Sequence, residues 1–128
     1  MKAITALLSS GLTLLSLMMA TQSDSPDEVY ANTIVDFEND LIPVFTKSGC
    51  NAGGCHGAAI GRGGFHLSLL GGSPRQDYET IVHEFGGRRV NVARPDESLL
   101  FTKPTGIVSH GGKQVLAEDG DGAALLLK

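Results

Sequence analysis

Ser48-Gly49-Cys50-Asn51-Ala52-Gly53-Gly54-Cys55-His56-Gly57 is the stretch on which the reading of this chain turns. It contains both cysteines of the sequence, and His56 follows the second directly. Each sulfur can add to a vinyl group of haem, and the adjacent imidazole can then bind the iron. Cys50, Cys55 and His56 are therefore the candidate set for a covalently attached haem c. Such attachment commonly leaves two residues between the cysteines, whereas four intervene here. Two other chemistries use the same residues. An exported protein with two thiols is expected to oxidise them to a disulfide, and Gly53 and Gly54 make so small a ring sterically feasible. A ring that short gains little from chain entropy, however, and it leaves His56 without a role. A tetrahedral zinc site would need a fourth ligand beyond these three.

Outside this stretch, the amino terminus is built for export. Lys2 precedes an apolar run from Ala3 to Ala20, and the polar Thr21-Gln22-Ser23 follows. A short positive start, an apolar centre and small residues at the exit describe a signal peptide over residues 1–23, cut near Ala20. The competing reading is a retained N-terminal anchor, since about 18 residues is the lower limit for a membrane span. The expected destination is the periplasm or cell envelope, with no membrane contact beyond this segment. Residues 24–128 then form one exported domain, small enough to need a disulfide, a metal or a cofactor to complete its core. Aromatic residues make up 5% of the 128-residue chain, Trp is absent and there are 17 glycines, so a bound haem could supply apolar mass that the side chains lack. The formal net charge of −4 gives no basic footprint for nucleic acid. Asp24, Asp27, Glu28, Asp36, Glu38 and Asp40 cluster ahead of the cysteines as a solvated acidic face, and the basic residues come later.

Helical spacing organises the domain. Ser25, Pro26 and Glu28 form the start of a helix with a capping box, and Tyr30, Ile34, Phe37 and Leu41 recur along one face until Pro43 kinks or ends it. After the cysteines, Phe65, Leu67 and Leu69 alternate with His66 and Ser68, which predicts a short extended piece with one buried face. Ser73-Pro74, with Gln76, opens a second helix carrying Tyr78, Ile81 and Val82 inward and ending at Phe85-Gly86-Gly87. Residues 88–94 read as extended. Pro95 starts a short helical turn with Leu99, Leu100 and Phe101, residues 103–106 break it, and His110-Gly111-Gly112 makes a turn. The last residues allow at most two helical turns. The glycines fit neither phosphate-loop pattern and read as places where the backbone approaches something flat or bulky.

The second iron ligand follows by elimination. A c-type haem takes His on one side and Met or His on the other, but the methionines are Met1, Met18 and Met19, within the signal segment. His66, His83 and His110 remain, with Lys103, Asn91 or an empty position as less usual outcomes. His83 belongs on the solvent side of a helix, and His66 should face away from Phe65 and Leu67. His110, in a glycine turn able to approach a porphyrin plane, is the preferred ligand. Arg88 and Arg89 read as solvated surface, with pairing to haem carboxylates as the alternative.

Beyond these local readings, the ordered set of motifs resembles the planctomycete-type cytochrome c family. The resemblance is carried by residues 49–59, by Gly61-Arg62-Gly63-Gly64-Phe65 leading to Leu67-Ser68-Leu69, by Asp77-Tyr78, by Gly87-Arg88-Arg89, and by Pro95 with Ser98-Leu99-Leu100. Lys103-Pro104-Thr105-Gly106 leading to His110-Gly111-Gly112 completes it, over about residues 37–113. His66 and Ser109 depart from the basic residue and proline usual there. The resemblance implies an exported haem-binding domain, usually the amino-terminal part of a longer protein, in which Cys50 and Cys55 carry the thioethers, His56 is the proximal ligand and His110 matches a recurrent histidine. It also implies a longer C-terminal helix that closes the haem crevice, so a chain ending at Lys128 is expected to be truncated there. The fold expected is a mostly α, small cytochrome c-like domain with long glycine-rich loops. The function expected is one-electron transfer to redox partner proteins rather than catalysis. The alternative is a haem-free exported binding module held by a Cys50–Cys55 disulfide.

Overall fold

The computed structural model describes residues 34–128. The helix expected from Ser25 lies, as far as Asn32 and Thr33, outside these residues, and it does not run on through Ile34 to Asp36. Asp36 is extended (φ −89°, ψ 124°) and starts a helix of its own. Its carboxylate accepts from the Asn39 N–H at 2.7 Å, and its own N–H donates to the Asp40 carboxylate at 2.8 Å, which satisfies amides that no preceding turn can serve.

The first turn, Phe37–Leu41, is wound wide, with the Ile42 N–H reaching back to the Phe37 carbonyl. Pro43 has no N–H to give and its ring crowds the carbonyl four residues back. A turn of π-helical width removes that conflict. Proline therefore does not end the helical path; it sits in the first turn of α1, Ile42–Lys47. Gly49 at φ +78° then stops α1. Its N–H bonds the Thr46 carbonyl at 3.1 Å, and the Cys50 N–H bonds that of Phe45 at 2.8 Å, the paired bonds of a Schellman ending.

The alternating segment after the cysteines forms no strand: residues 66–68 carry no regular structure, with Ser68 extended. Leu67 is buried, but Leu69 turns outward in a 3₁₀ turn, Leu69–Gly71. The single-faced strand expected there thus does not form, because Gly71 (φ +75°) packs its backbone directly on Ile42. Helix α2, Pro74–Val82, begins at the expected proline. Ser73 gives it no side-chain cap, however. Asp77, which is buried, accepts from the N–H and hydroxyl of Ser68 at 2.6 and 2.7 Å, and the Ser68 hydroxyl accepts from the Ser73 N–H at 2.9 Å. The α2 start is thereby tied to the loop before it. Ile81 faces inward as expected; Tyr78 is half-exposed and lies edge-on to Phe37.

Phe85, Gly86 and Gly87, all at positive φ, end that region. Residues 88–94 form turns rather than a strand. The Pro95–Glu97 turn leads into α3, Leu99–Thr102, and α4 spans Asp121–Leu126. Among the described residues there are no strands, only an isolated bridge between Arg62 and Phe65, so the domain is mostly α. No helix among them is long and apolar enough to cross a membrane. Ile42, Phe45, Leu67 and Ile81 form the core cluster, and Phe37, Cys50, Phe65, Leu100 and Leu126 pack on it. Each buried side chain of this kind contributes about 1.5–3 kcal/mol, so a core this small leaves a modest margin.

Candidate functional site

A cavity of about 410 Å³ opens beside this core, within the range of cofactor sites. Phe45, Phe65, Leu67, Leu100, Leu116 and Leu126 supply apolar wall, and Cys50, Cys55, His56 and His110 all reach it. Each of the four is placed by local chain geometry. Cys50 is the residue just after the Schellman glycine, and its backbone bond to Phe45 turns its side chain onto the core. Ser48 donates its hydroxyl proton to the Val44 carbonyl at 2.6 Å, which leaves its oxygen to accept from the Cys50 thiol at 3.2 Å. Burial pushes the Cys50 thiol above its usual range, and the bond to Ser48 offsets part of that rise. Cys50 and Cys55 are free thiols, not bonded to each other.

The loop between them folds back on itself. The His56 N–H bonds the Cys50 carbonyl at 2.9 Å, and the Cys55 and Gly57 N–H groups both bond the Ala52 carbonyl, at 2.9 and 3.0 Å. Gly57 is required there, since a Cβ would collide with the Asn51 carbonyl. Asn51, wholly buried, anchors the loop base by donating to the Thr46 hydroxyl at 2.9 Å, while its side-chain oxygen is left without a partner. The glycines thus serve close approach of backbone to backbone within the loop at least as much as approach to a ligand.

His56 is fixed by two bonds. Its carbonyl accepts from the Leu67 N–H at 2.8 Å, and its Nδ1 lies 2.9 Å from the Phe65 carbonyl. A carbonyl can only accept, so Nδ1 carries the proton and Nε2 presents a lone pair. Burial, opposed by the bond to Phe65 and assisted by nearby His110, lowers the proton affinity of this ring below that of an ordinary histidine. His110 has the same arrangement: its Nδ1 lies 2.9 Å from the Lys113 carbonyl, across the turn that Gly111 and Gly112 allow. The two rings stand with centroids 6.2 Å apart and planes within 9° of parallel. Both rings border the same cavity at this separation. Ring nitrogens tied to carbonyls through Nδ1 are also the usual support for histidines that bind metal through Nε2.

The other histidines lie elsewhere. His83 is exposed at the C-cap of α2, 3.8 Å from Glu79, and His66 does not line the cavity. The two neighbouring arginines, read alike from sequence, part company. Arg88 is exposed at the cavity. Arg89 is not solvated surface: it is 8% exposed, donates to the Thr80 carbonyl at 2.7 Å and the Gly64 carbonyl at 3.3 Å, and pairs with Glu84 at 3.3 Å. Its guanidinium also lies over the Phe65 ring, 4.5 Å from the centroid, and so braces the segment that positions His56. Nothing in the local spacing of Arg89, Ser48 or Asp77 announced these roles; each acts on a residue at least two positions away through folds of loop. No protein-family model, curated protein or solved structure matches the chain.

Proposed function

We propose that this is an exported, cytochrome c-like domain, located in the periplasm or cell envelope, that binds haem c covalently and passes single electrons. The observation that carries the reading is the pairing of His56 and His110: near-parallel rings 6.2 Å apart, each with Nδ1 held by a carbonyl, on a cavity that both cysteines also reach. Cys50 and Cys55 would form the thioethers, His56 would be the proximal ligand and His110 the distal one. Bound haem supplies a reversible one-electron iron couple whose potential follows its axial ligands and burial. The chain's own work is positional. Phe65 and Lys113 orient the two imidazoles by accepting from Nδ1 through their carbonyls, which leaves Nε2 of each ring as the nitrogen for a ligand. The apolar wall keeps water from the centre of the cavity, which narrows the reorganisation that accompanies a change of charge there. Two histidines committed to one centre leave no open position for a substrate, which favours an electron carrier over a catalyst.

The test is an intact mass and optical spectrum of the protein exported from a host with haem-attachment machinery. A mass gain of one haem with a c-type spectrum, both lost in His56→Ala, is the expected result. A colourless product two hydrogens lighter than the dithiol form would instead establish the disulfide-held module and reject the haem reading.

A further inference from the structure

The charges at the cavity are all of one sign. In a chain with a formal net charge of −4, Arg62, Arg88, Arg89 and Lys103 line this cavity, and no carboxylate is among its lining residues. Arg89 is already occupied by Glu84 and two carbonyls. Arg62 and Arg88 have no ion-pair partner among the described residues, and Lys103 donates only to the Ser109 carbonyl, at 3.2 Å. Arg62 and Arg88 are exposed and Lys103 half-buried, so all three stand at the opening, while Phe45 and Leu67 form the floor. An occupant that filled only the apolar interior would leave these cations facing water without a charged partner. An occupant with an apolar body and carboxylates at one edge would make charge-assisted hydrogen bonds to them, the strong class of such bonds.

We infer that Arg62, Arg88 and Lys103 form a carboxylate-binding rim that receives the two propionate groups of the bound haem, with Arg89 excluded because it is spent on the protein. The inference rests on the haem reading above and adds to it which residues fix the acidic edge of the ring. These are positioning residues: they set the charge felt by the iron without touching it. Cations on the propionates keep them ionised and neutralised, so the iron potential is insensitive to pH around neutrality. Removing a cation exposes the oxidised iron to more negative charge, which stabilises it, and raises the proton affinity of the propionate, so the potential falls further as pH rises through that group's titration.

The experiment is potentiometric titration across pH 5 to 8 of the mature, haem-loaded full chain and of Arg62→Gln, Arg88→Gln and Lys103→Gln, with Arg75→Gln as control. Arg75 is exposed on α2 and does not line the cavity. The expected result is a lower midpoint potential with a new pH slope in the rim variants, restored in Arg88→Lys and absent in the control. If the wild type matures with haem and the rim variants keep its potential and flat pH profile, the rim is rejected while the haem reading stands. If the wild type takes up no haem, both fall, and the spectrum says so before any potential is measured. For variants that do not mature, the wild type decides alone: a protonated-carboxyl band in its infrared difference spectrum at pH 6 would overturn the rim, and its absence supports it.

Discussion

Burial has already set the proton affinity of His56 before any ligand arrives. The folded ring takes a proton less readily than the same ring in the unfolded chain, so the unfolded state binds more protons as the pH falls through the ordinary imidazole range. Stability from this residue is fully present above that range and is lost on acidification. The haem-free protein should therefore lose denaturant resistance between about pH 8 and pH 5.5, and His56→Phe should shrink that loss; equal losses in both proteins would contradict the assignment. His110 admits a different measurement. If the proposed haem is held by both histidines, carbon monoxide should bind the reduced protein poorly, whereas His110→Ala should keep its covalent haem and bind carbon monoxide readily. Unchanged binding in that variant would place the second ligand elsewhere. The residues of this site were legible to unequal degrees. Cys50, Cys55 and His56 announce themselves by adjacency. His110 emerged from the lack of methionine in residues 24–128 together with its glycine turn. Arg89 was misread, because a buried arginine depends on carbonyls at Thr80 and Gly64 that no local pattern reveals.

Among the elements, the ending of α1 matters most to the site, since it aims Cys50. Ala at Gly49 would have to hold φ +78° with a Cβ, at a cost of about 1–2 kcal/mol. Gly57→Ala meets an outright clash with the Asn51 carbonyl and should cost more, as well as displacing His56. Urea midpoints of the two variants in the haem-free form should fall in that order, and reversal would mean that the loop relaxes more easily than the helix ending. The helices themselves were readable where proline and apolar period agree, as at Pro74 with Ile81 and at Pro95 with Phe101. They were misread where two starts compete. Ser25-Pro26 and Asp36 both carry capping chemistry, and residues 34–36 are non-helical with Asp36 extended, the wide turn that accommodates Pro43 following at once. A period of 3.6 residues drawn through Ile34, Phe37 and Leu41 passes over that break, because apolar spacing does not register where the chain stops and restarts.

Among the described residues few apolar side chains are buried, Ile42, Phe45, Leu67, Ile81, Phe101 and Ala123, and Phe45 and Leu67 face the cavity as well as the core. Filling that cavity should raise stability strongly by linkage: thermal unfolding of the haem-loaded chain is expected well above that of the haem-free chain, and coincident transitions would mean that the cavity stays open when loaded. The arginine that spans the loops sets the order of assembly. Arg89 grips the Gly64 carbonyl across 25 residues of sequence, while α1 and α2 need only neighbours. Closing a loop of that length costs about 3 kcal/mol or somewhat more in chain entropy, returned only when the guanidinium finds its carbonyls and the Phe65 face together. Local helices should therefore form early and this closure late. In hydrogen exchange, the Leu67 amide on His56 and the Leu100 amide on Arg89 should open as one cooperative unit, so that the half of the cavity holding His56 and the half built on α3 are gained and lost in a single kinetic step.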